Sequence, residues 1–383
     1  MLMQNKQNLI LRLTCLFWII SRIDTYKVWM PQGRLYPVVP VFEFLDAIPL
    51  VVHTVLFVIS MLGLGLIFVF PQKRIIAIST LIIIVLSCML DILRWQAWEY
   101  QLIFFLFAFV INKDKPKSFY SAIVFILASV YVYSGVHKLN GGFLLFVWEQ
   151  MILKFLGVPK GLHHKMHYIG IVVPLTEIAA GLSLLFIKNK IIPLFMLVSM
   201  HLFILAMLLI GFSFPVMSTV PVWNVSMTLF LILFYYLEEY SFSFADLWPG
   251  ANKLVPLFWG ILPALCFVGL WDDYLSSALY SGNLKFLDLC IKDTAKAKQF
   301  EPYFNNDIRH VCNGQAKLGT FKWSFEETNV LPYPERWYFK KFKTKFEKMY
   351  PDVEVEFVVH TYPFREKAIL GDDTETVIDL TKK

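Results

Sequence analysis

Residues 134–140, with the sequence Ser-Gly-Val-His-Lys-Leu-Asn, close a long apolar run and are followed by two glycines. A lysine at the mouth of a membrane helix is a candidate proton acceptor, because partial burial penalises the charged ammonium form. The simpler alternative is that Lys138 reaches the lipid headgroups and anchors the end of the helix. His137 directly precedes it, and we treat both residues as candidate catalytic groups.

Two further ionisable residues, Glu177 and His201, lie inside apolar runs. A charge at the centre of a bilayer costs a few kcal/mol, so each side chain should face a partner or a wet cavity. Small residues at 179–181 allow another helix to come close, and Glu177 could then hydrogen-bond across that contact in a packing or a functional role. His201 is either a neutral hydrogen-bonding group between helices or a proton relay.

Membrane helices must position these residues. The chain has 383 residues, of which 57% are hydrophobic, with 36 Phe and 11 Trp, and its mean hydropathy is +0.58. No soluble domain has this balance. Because a span needs about 20 largely apolar residues, we predict about eight or nine spans. The predicted spans are residues 10–20, 48–70, 75–90, 102–111, 119–133, 168–187, 191–212, 216–237 and 254–271.

Three short loops, at residues 71–74, 113–117 and 188–190, are rich in Lys and Arg. Counting spans alternately places all three on one face, which the positive-inside tendency makes cytoplasmic. The opposite, exoplasmic face then receives the Lys138 turn and everything after Trp271. The chain is predicted to be a multi-pass integral membrane protein, of the plasma membrane in a bacterium or of the endoplasmic reticulum membrane in a eukaryote.

The composition changes near residue 280, where charged residues replace the apolar runs. We predict an all-α polytopic membrane bundle over residues 1–279 and a small exoplasmic α+β C-terminal domain over residues 280–383. Alternation within residues 353–359 predicts a strand, and a helix rich in Lys and Phe is predicted after Pro334. Residues after about Arg365 are predicted to be weakly ordered.

The cysteines and the charge restrict the function classes. Cys290 and Cys312 could form a disulfide if the tail is exoplasmic, but their spacing leaves the pairing open. Cys15, Cys88 and Cys266 lie in apolar runs and are predicted to be packing residues. The net charge of +6 is spread over loops and tail, so no nucleic-acid partner is predicted. The sequence has no nucleotide-binding loop, zinc-type cysteine pair or serine-nucleophile elbow.

Polar and aromatic residues cluster at the predicted exoplasmic edge. Asp91 and Arg94 are three residues apart and are predicted to form a structural ion pair. Trp98 and Tyr100 follow them as candidate cofactor-binding residues, with interfacial anchoring as the alternative. Trp148, on an amphipathic segment after the Lys138 turn, is a third candidate for cofactor binding.

The same amphipathic segment carries Glu149, a possible partner for Lys138. His163, His164 and His167 follow it, with spacings that resemble a metal site. A solvated basic loop is the preferred interpretation of these histidines, and no metal is predicted.

Residues 134–140 resemble the membrane motif of the vitamin K-dependent gamma-glutamyl carboxylases and their bacterial relatives, the HTTM (horizontally transferred transmembrane) proteins. Lys138 falls on the catalytic lysine of that family, and His137 replaces the lysine before it. Residues 177–181 are similar to the family's Asp-Leu-Ser-Ala-Gly helix. This resemblance covers the membrane half of the chain in several short motifs.

Two other segments are similar to the same family, and one differs. His201, together with residues 210–213, resembles the family's histidine-bearing helix and the segment after it. Residues 331–335 resemble the tails of bacterial members. Residues 95–101 contain no histidine where the carboxylase has an Asn-Asn-His segment, and the long luminal region that recognises a propeptide has no counterpart of that size.

The resemblance implies a membrane enzyme with Lys138 as its base and His201 and Glu177 as supporting polar groups. It also implies a quinol similar to vitamin K hydroquinone as cofactor, CO2 and O2 as co-substrates, and a protein or peptide substrate on the exoplasmic side. Such a site must exclude water, because a stray proton would quench the carbanion that attacks CO2. The alternative is a non-catalytic membrane module that binds or exports a partner through its tail.

Overall fold

The computed structural model describes residues 2–216, 218–235, 241–307, 310–361, 366–371 and 375–379. Contacts along the chain divide it into two compact units. The helical unit comprises residues 1–24, 55–87 and 96–282, and the sheet unit comprises residues 25–54, 88–95 and 283–383. Two short segments from the N-terminal quarter of the chain therefore pack with the C-terminal region.

The described residues form a mostly helical protein with a small C-terminal sheet. Five helices are long and apolar enough to cross a membrane, and the count of eight or nine spans stays a prediction. The main helices, in chain order, are α1 (Leu2–Asp24), α2 (Leu50–Val69), α3 (Arg74–Met89), α4 (Ala97–Asn112), α5 (Pro116–His137), α6 (Phe143–Leu153), α7 (Lys160–Phe186), α8 (Ile191–Gly211), α9 (Thr219–Tyr235) and α10 (Gly250–Val268). The five long ones are α2, α5, α7, α8 and α10.

Helix α5 is the central element of the helical unit. It begins at Pro116, whose missing N–H costs nothing at the first helical position, and 78% of its apolar window is buried, against 28% for α8. A helix that is apolar on all sides, yet mostly unburied by protein, presents its side chains to lipid. The residues that could do chemistry therefore lie on the most buried of the five long helices and on its immediate neighbours.

Polar contacts align the helix ends of this unit. At one end, the side-chain amides of Asn112 and Asn252 bond to each other at 2.6 and 2.8 Å, and Gln7 donates to the carbonyl of Asn112. At the other end, Thr219 donates to Asp24. Helices α4 and α5 are antiparallel neighbours joined just after Asn112. Helix α5 therefore begins at the end of the unit that holds Asn112 and finishes at the opposite end, where Asp24 and Thr219 lie.

The sheet unit contains a six-stranded antiparallel sheet in the order β2-β3-β1-β4-β5-β6. Its elements are β1 (Lys285–Ile291), β2 (Phe304–Asn305), β3 (Ala316–Gly319), α11 (Thr320–Thr328), α12 (Arg336–Met349), β4 (Val355–Thr361), β5 (Glu366–Leu370) and β6 (Glu375–Asp379). Phe342 and Phe346 of α12 are fully buried and pack against Trp323 of α11. A disulfide joins Cys290 to Cys312, which settles the pairing that spacing left open.

The predictions for this region are mostly confirmed. The helix after Pro334 is α12, and the predicted strand at 353–359 is β4, displaced by two residues. Weak order is predicted after Arg365; of these residues, 366–370 and 375–379 form β5 and β6, which pair with β4 and with each other, and residues 372–374 and 380–383 lie outside the described residues. The alternation in β5 and β6 is too short to be recognised without the neighbouring strand.

The N-terminal segments of the sheet unit hold a buried polar network. The Asp91 carboxylate accepts a hydrogen bond from Arg34 at 2.8 Å, whereas Arg94 lies 2.8 Å from the ring nitrogen of His53. Residues 92–94 form a single 3-10 turn capped by Asp91, so the α-helical spacing behind the predicted Asp91–Arg94 side-chain pair does not apply. Burial raises the pKa of Tyr36 above its ordinary value, so its hydroxyl stays protonated.

Candidate functional site at the end of helix α5

Helices α5 and α7 meet through two glycines. A Cβ on Gly135 would lie 2.8 Å from the carbonyl oxygen of Pro174, and one on Gly181 would lie 2.9 Å from the Cβ of Tyr131. Distances this short leave no room for any side chain larger than hydrogen. The prediction that small residues near Glu177 allow close helix approach is confirmed.

This close approach brings Glu177 to Lys138. The Lys138 Nζ donates to Oε2 of Glu177 at 2.6 Å and to Oγ of Ser134, one turn earlier, also at 2.6 Å. The Lys138 side chain is 13% exposed and that of Glu177 is 5% exposed. The amine is therefore mostly sheltered and is paired across the helix contact.

Glu149 does not fill the role that its closeness in sequence suggested. Its carboxylate binds Nδ1 of His167, and the carboxylate on Lys138 belongs to Glu177. The cause is geometric: residues 143–153 form a separate helix, α6, whose buried side chains pack against Met207 of α8. Closeness in sequence therefore does not decide which of the two glutamates pairs with Lys138.

His201 joins three helices. Its Nε2 lies 2.8 Å from the Tyr131 hydroxyl on α5, and its Nδ1 lies 2.8 Å from Oδ1 of Asn224 on α9. The Asn224 amide nitrogen donates to the carbonyl of Val220, so its oxygen faces the imidazole. This arrangement assigns the proton to Nδ1 and makes Nε2 the acceptor of the tyrosine proton. The interhelical hydrogen-bonding role predicted as one alternative is the one this geometry fits.

Tyr131, Ser134 and Lys138 lie on one face of α5, because residues three and four apart are neighbours on a helix surface. Glu177 contacts this face at Lys138, at the end of the helix, and His201 contacts it at Tyr131, about two turns earlier. The structure thus gathers three of the four predicted catalytic residues along one side of α5.

His137, the fourth, faces another element. Its ring stacks on Phe267 with the ring centroids 4.5 Å apart. Cys266 and Asp273 lie close to the same imidazole. The two adjacent residues at the end of α5 therefore contact different helices: Lys138 contacts α7, and His137 contacts the end of α10.

The three predicted cofactor-binding aromatics are all buried. The Trp98 ring lies 6.3 Å from that of Trp223, and the Tyr100 hydroxyl donates to the carbonyl of Phe258. Trp148 donates to the carbonyl of Met166 at 2.9 Å. Each ring is thus engaged by protein neighbours.

Sequence reasoning missed a second buried ion pair in the helical unit. Arg22 of α1 binds Glu99 of α4, and each side chain is at most 2% exposed. Trp18 donates to the other oxygen of the same carboxylate at 2.6 Å. The available signal was an arginine and a glutamate each within a turn of an apolar run, but no local pattern indicates that α1 and α4 meet.

The arrangement around Lys138 can hold a proton and exchange it between an amine and a carboxylate. Ser134 orients the amine, while the Tyr131–His201–Asn224 chain fixes the neighbouring helices. Comparison of the chain with protein-family models, with curated proteins and with solved structures finds no match in any of the three.

Proposed function

We propose that this chain is a multi-pass membrane enzyme of the carboxylase-like HTTM type, in which the Lys138–Glu177 pair accepts a proton from an acidic, lipid-soluble substrate. The observation that carries the proposal is the 2.6 Å contact between a 13% exposed amine and a 5% exposed carboxylate at the end of two closely packed helices. Buried and partly enclosed ionisable residues within apolar helices are costly to keep, which makes this pair a candidate functional site.

The pair sets a condition on the chemistry. Lys138 can act as a base only when its proton has passed to Glu177 or has left the pair altogether. Glu177 is then both counter-ion and temporary proton holder, and Ser134 keeps Nζ directed at the carboxylate. The substrate must reach the amine through the 13% of the Lys138 side chain that is exposed.

A quinol is the acid that the resemblance to the carboxylases suggests, with CO2 and O2 as co-substrates. When bound, such a quinol would supply, through its oxidation, a base strong enough to remove a carbon-bound proton. Trp98, Tyr100 and Trp148 do not fit a quinone-stacking role, because each ring is buried against other side chains or backbone. The proposal therefore assigns the pair, and none of these aromatics, to the proton transfer.

The proposed topology has nine spans. The five long helices are joined by three shorter apolar helices, α3, α4 and α9, and α1 is the ninth. Alternating spans put Gln7 and Asn112 at one face and Asp24 and Thr219 at the other, which agrees with their hydrogen bonds. The basic loops share the first face, which is cytoplasmic by the positive-inside tendency.

By the same count, the Lys138 end and the C-terminal region are exoplasmic. The disulfide between Cys290 and Cys312 supports an oxidising compartment for this region. The membrane is then the plasma membrane in a bacterium or the endoplasmic reticulum membrane in a eukaryote, and a protein or peptide substrate would be met on the exoplasmic side.

The test uses oxygen consumption by the detergent-solubilised full chain supplied with vitamin K hydroquinone. Lys138→Ala and Lys138→Arg should both abolish consumption above the background rate, since guanidinium stays protonated. Lys190→Ala is the matched control, because Lys190 is also a partly buried lysine at a helix end, bonded to the carbonyl of Leu184. Unchanged consumption in Lys138→Ala would refute the proposal.

A second candidate function is a non-catalytic module that binds or exports a partner through the C-terminal region. The observation that favours it is the well-packed sheet unit, which is cross-linked by a disulfide. This alternative predicts that no isoprenoid quinone co-purifies in native mass spectrometry, and that substitutions at Lys138 leave partner capture unchanged while β-sheet truncations remove it.

A further inference from the structure

The ends of α5 and α10 meet in a cluster of three different metal-ligating groups. One ligand atom each from His137, Cys266 and Asp273 lies within 4.8 Å of the others, and all three side chains are half-buried. The thiol of Cys266 donates to Oδ1 of Asp273 at 3.2 Å. These residues stand outside the Lys138–Glu177 pair and have no part in the proton transfer proposed above.

The chain between Cys266 and Asp273 reverses direction to build this cluster. Gly269 adopts a left-handed conformation with φ of +74°, and its N–H donates to the carbonyl of Cys266. Leu270 donates in turn to the carbonyl of Leu265. This pattern closes a helix at a glycine and directs the following residues back over the helix end. The carboxylate of Asp273 therefore returns to the thiol seven residues before it.

The donor set suits a particular class of ion. Imidazole nitrogen, thiolate sulfur and carboxylate oxygen are the three ligand types that bind Zn²⁺, with bond lengths of about 2.0–2.3 Å. In a tetrahedral site, those bonds place neighbouring ligand atoms about 3.3–3.8 Å apart. The distance of 3.2 Å between Cys266 Sγ and Asp273 Oδ1 is close to the short end of this range. All three ligand atoms lie within 4.8 Å of one another, so closing them on an ion requires shifts of at most about 1.5 Å.

We infer that His137, Cys266 and Asp273 bind a divalent transition-metal ion of the zinc class, with the fourth position open to water or to a substrate oxygen. Binding exchanges the thiol proton of Cys266 for the metal, and that proton leaves to solvent without any change of oxidation state. Three protein ligands with one open position are the pattern of catalytic zinc sites. The ion would clamp the end of α10 to the end of α5, one residue before Lys138.

The inferred site, if occupied, would replace three expectations from the sequence. No metal was predicted, and Cys266 was assigned to packing, because its ligand partners are not at any recognised spacing. His137 was assigned to catalysis through its closeness to Lys138. The three ligands come from two helix ends far apart in the chain, so only their meeting in the fold makes the site visible.

The test is metal binding by the tag-free, full-length protein in detergent. After dialysis against a chelator, the protein is titrated with Co²⁺, which reports a thiolate ligand by charge-transfer absorption and a tetrahedral site by visible bands. The expected result is one Co²⁺ per chain, displaced by Zn²⁺. Cys266→Ser should remove the charge-transfer absorption, and His137→Gln and Asp273→Asn should each weaken binding at least tenfold.

Two control variants keep this test decisive. His164→Ala alters the histidine-rich loop and should bind Co²⁺ as the unchanged protein does, while Lys138→Ala should retain the metal even if turnover is lost. Each variant is first shown to be monodisperse by size-exclusion chromatography. Absence of a stoichiometric thiolate–cobalt signal in the unchanged protein, or its survival in Cys266→Ser, overturns the inference and leaves the proposed proton transfer at Lys138 unaffected.

Discussion

Two ion pairs in the helical unit have the same charges and different surroundings. Arg22 and Glu99 are buried, at 1% and 2% exposure; Trp18 also donates to Glu99, and Arg22 also donates to Ser60. Lys138 and Glu177 lie at a helix end, and the lysine is 13% exposed. One pair is buried, while the lysine of the other is partly exposed.

The choice of cation matters as much as the exposure. A guanidinium stays protonated under all ordinary conditions, whereas an amine can lose its proton when its surroundings change. Arg22 can therefore only hold α1 against α4. Lys138 has the chemistry and the access to exchange a proton. Under the proposed function, the first pair has a structural role and the second takes part in the chemistry.

Exchanging the two cation types would test this comparison most strongly. Lys138→Arg keeps a positive charge beside the Glu177 carboxylate. It should lower quinol-dependent oxygen consumption by about 100-fold or more, as loss of a general base does. Arg22→Lys should leave the consumption per folded molecule unchanged while lowering the melting temperature. Equal activity losses in the two variants would show that both pairs act through stability alone.

Removing the acid from the buried Arg22–Glu99 pair should cost the most stability. Glu99→Gln leaves the Arg22 guanidinium buried without its counter-charge, which destabilises by about 3–5 kcal/mol. Glu177→Gln should cost less, because the Lys138 amine keeps its hydrogen bond to Ser134 and its side chain is partly exposed. Unfolding followed by tryptophan fluorescence in detergent measures both, and a larger loss in Glu177→Gln would contradict the assignment.

Widening the α5–α7 contact separates helix spacing from chemistry. Gly181→Ala places a Cβ 2.9 Å from that of Tyr131, and overpacking of this kind costs about 1–3 kcal/mol. Gly65→Ala is the matched control, since a Cβ there meets nothing within 4 Å. Thermal unfolding of the two variants should differ clearly, and identical melting temperatures would argue against close packing at Gly181.

The smallest expected loss of stability comes from an exposed ion pair in the sheet unit. Burial raises the pKa of Asp46, but hydrogen bonds and charges from Lys345 and Lys348 outweigh this and lower it below 3.8. A depressed folded-state pKa stabilises above the unfolded value and is lost as the pH falls through the folded value. Because Asp46 is 30% exposed, Asp46→Asn should cost less than about 1 kcal/mol at pH 7.

The measurement is urea unfolding at pH 7 and at acid pH in wild type and Asp46→Asn. The difference between the two proteins should shrink as the pH falls through the lowered folded-state pKa of Asp46, below which the carboxyl is protonated in both the folded and the unfolded state. A difference that grows in acid would mean that the sign of the shift is wrong.

Much of the fold could be predicted from the sequence, because the strongest signals in the sequence are local. Continuous apolar runs predicted the membrane helices, the small residues at 179–181 predicted the tight contact around Glu177, and the pattern around 334–359 predicted α12 and β4. The short strands after 365 escaped detection, because a strand of five residues depends on its neighbours for recognition.

The sequence by itself determined that this chain forms apolar helices and that Lys138, Glu177 and His201 would be costly to leave unpaired within them. Tertiary structure alone decided their partners, choosing Glu177 over Glu149 for Lys138, joining Arg22 to Glu99, and bringing His137 to Cys266 and Asp273. The physical reason is that periodicity fixes which face of a helix a residue occupies, whereas the rotation and depth of each helix against its neighbours decide which faces meet.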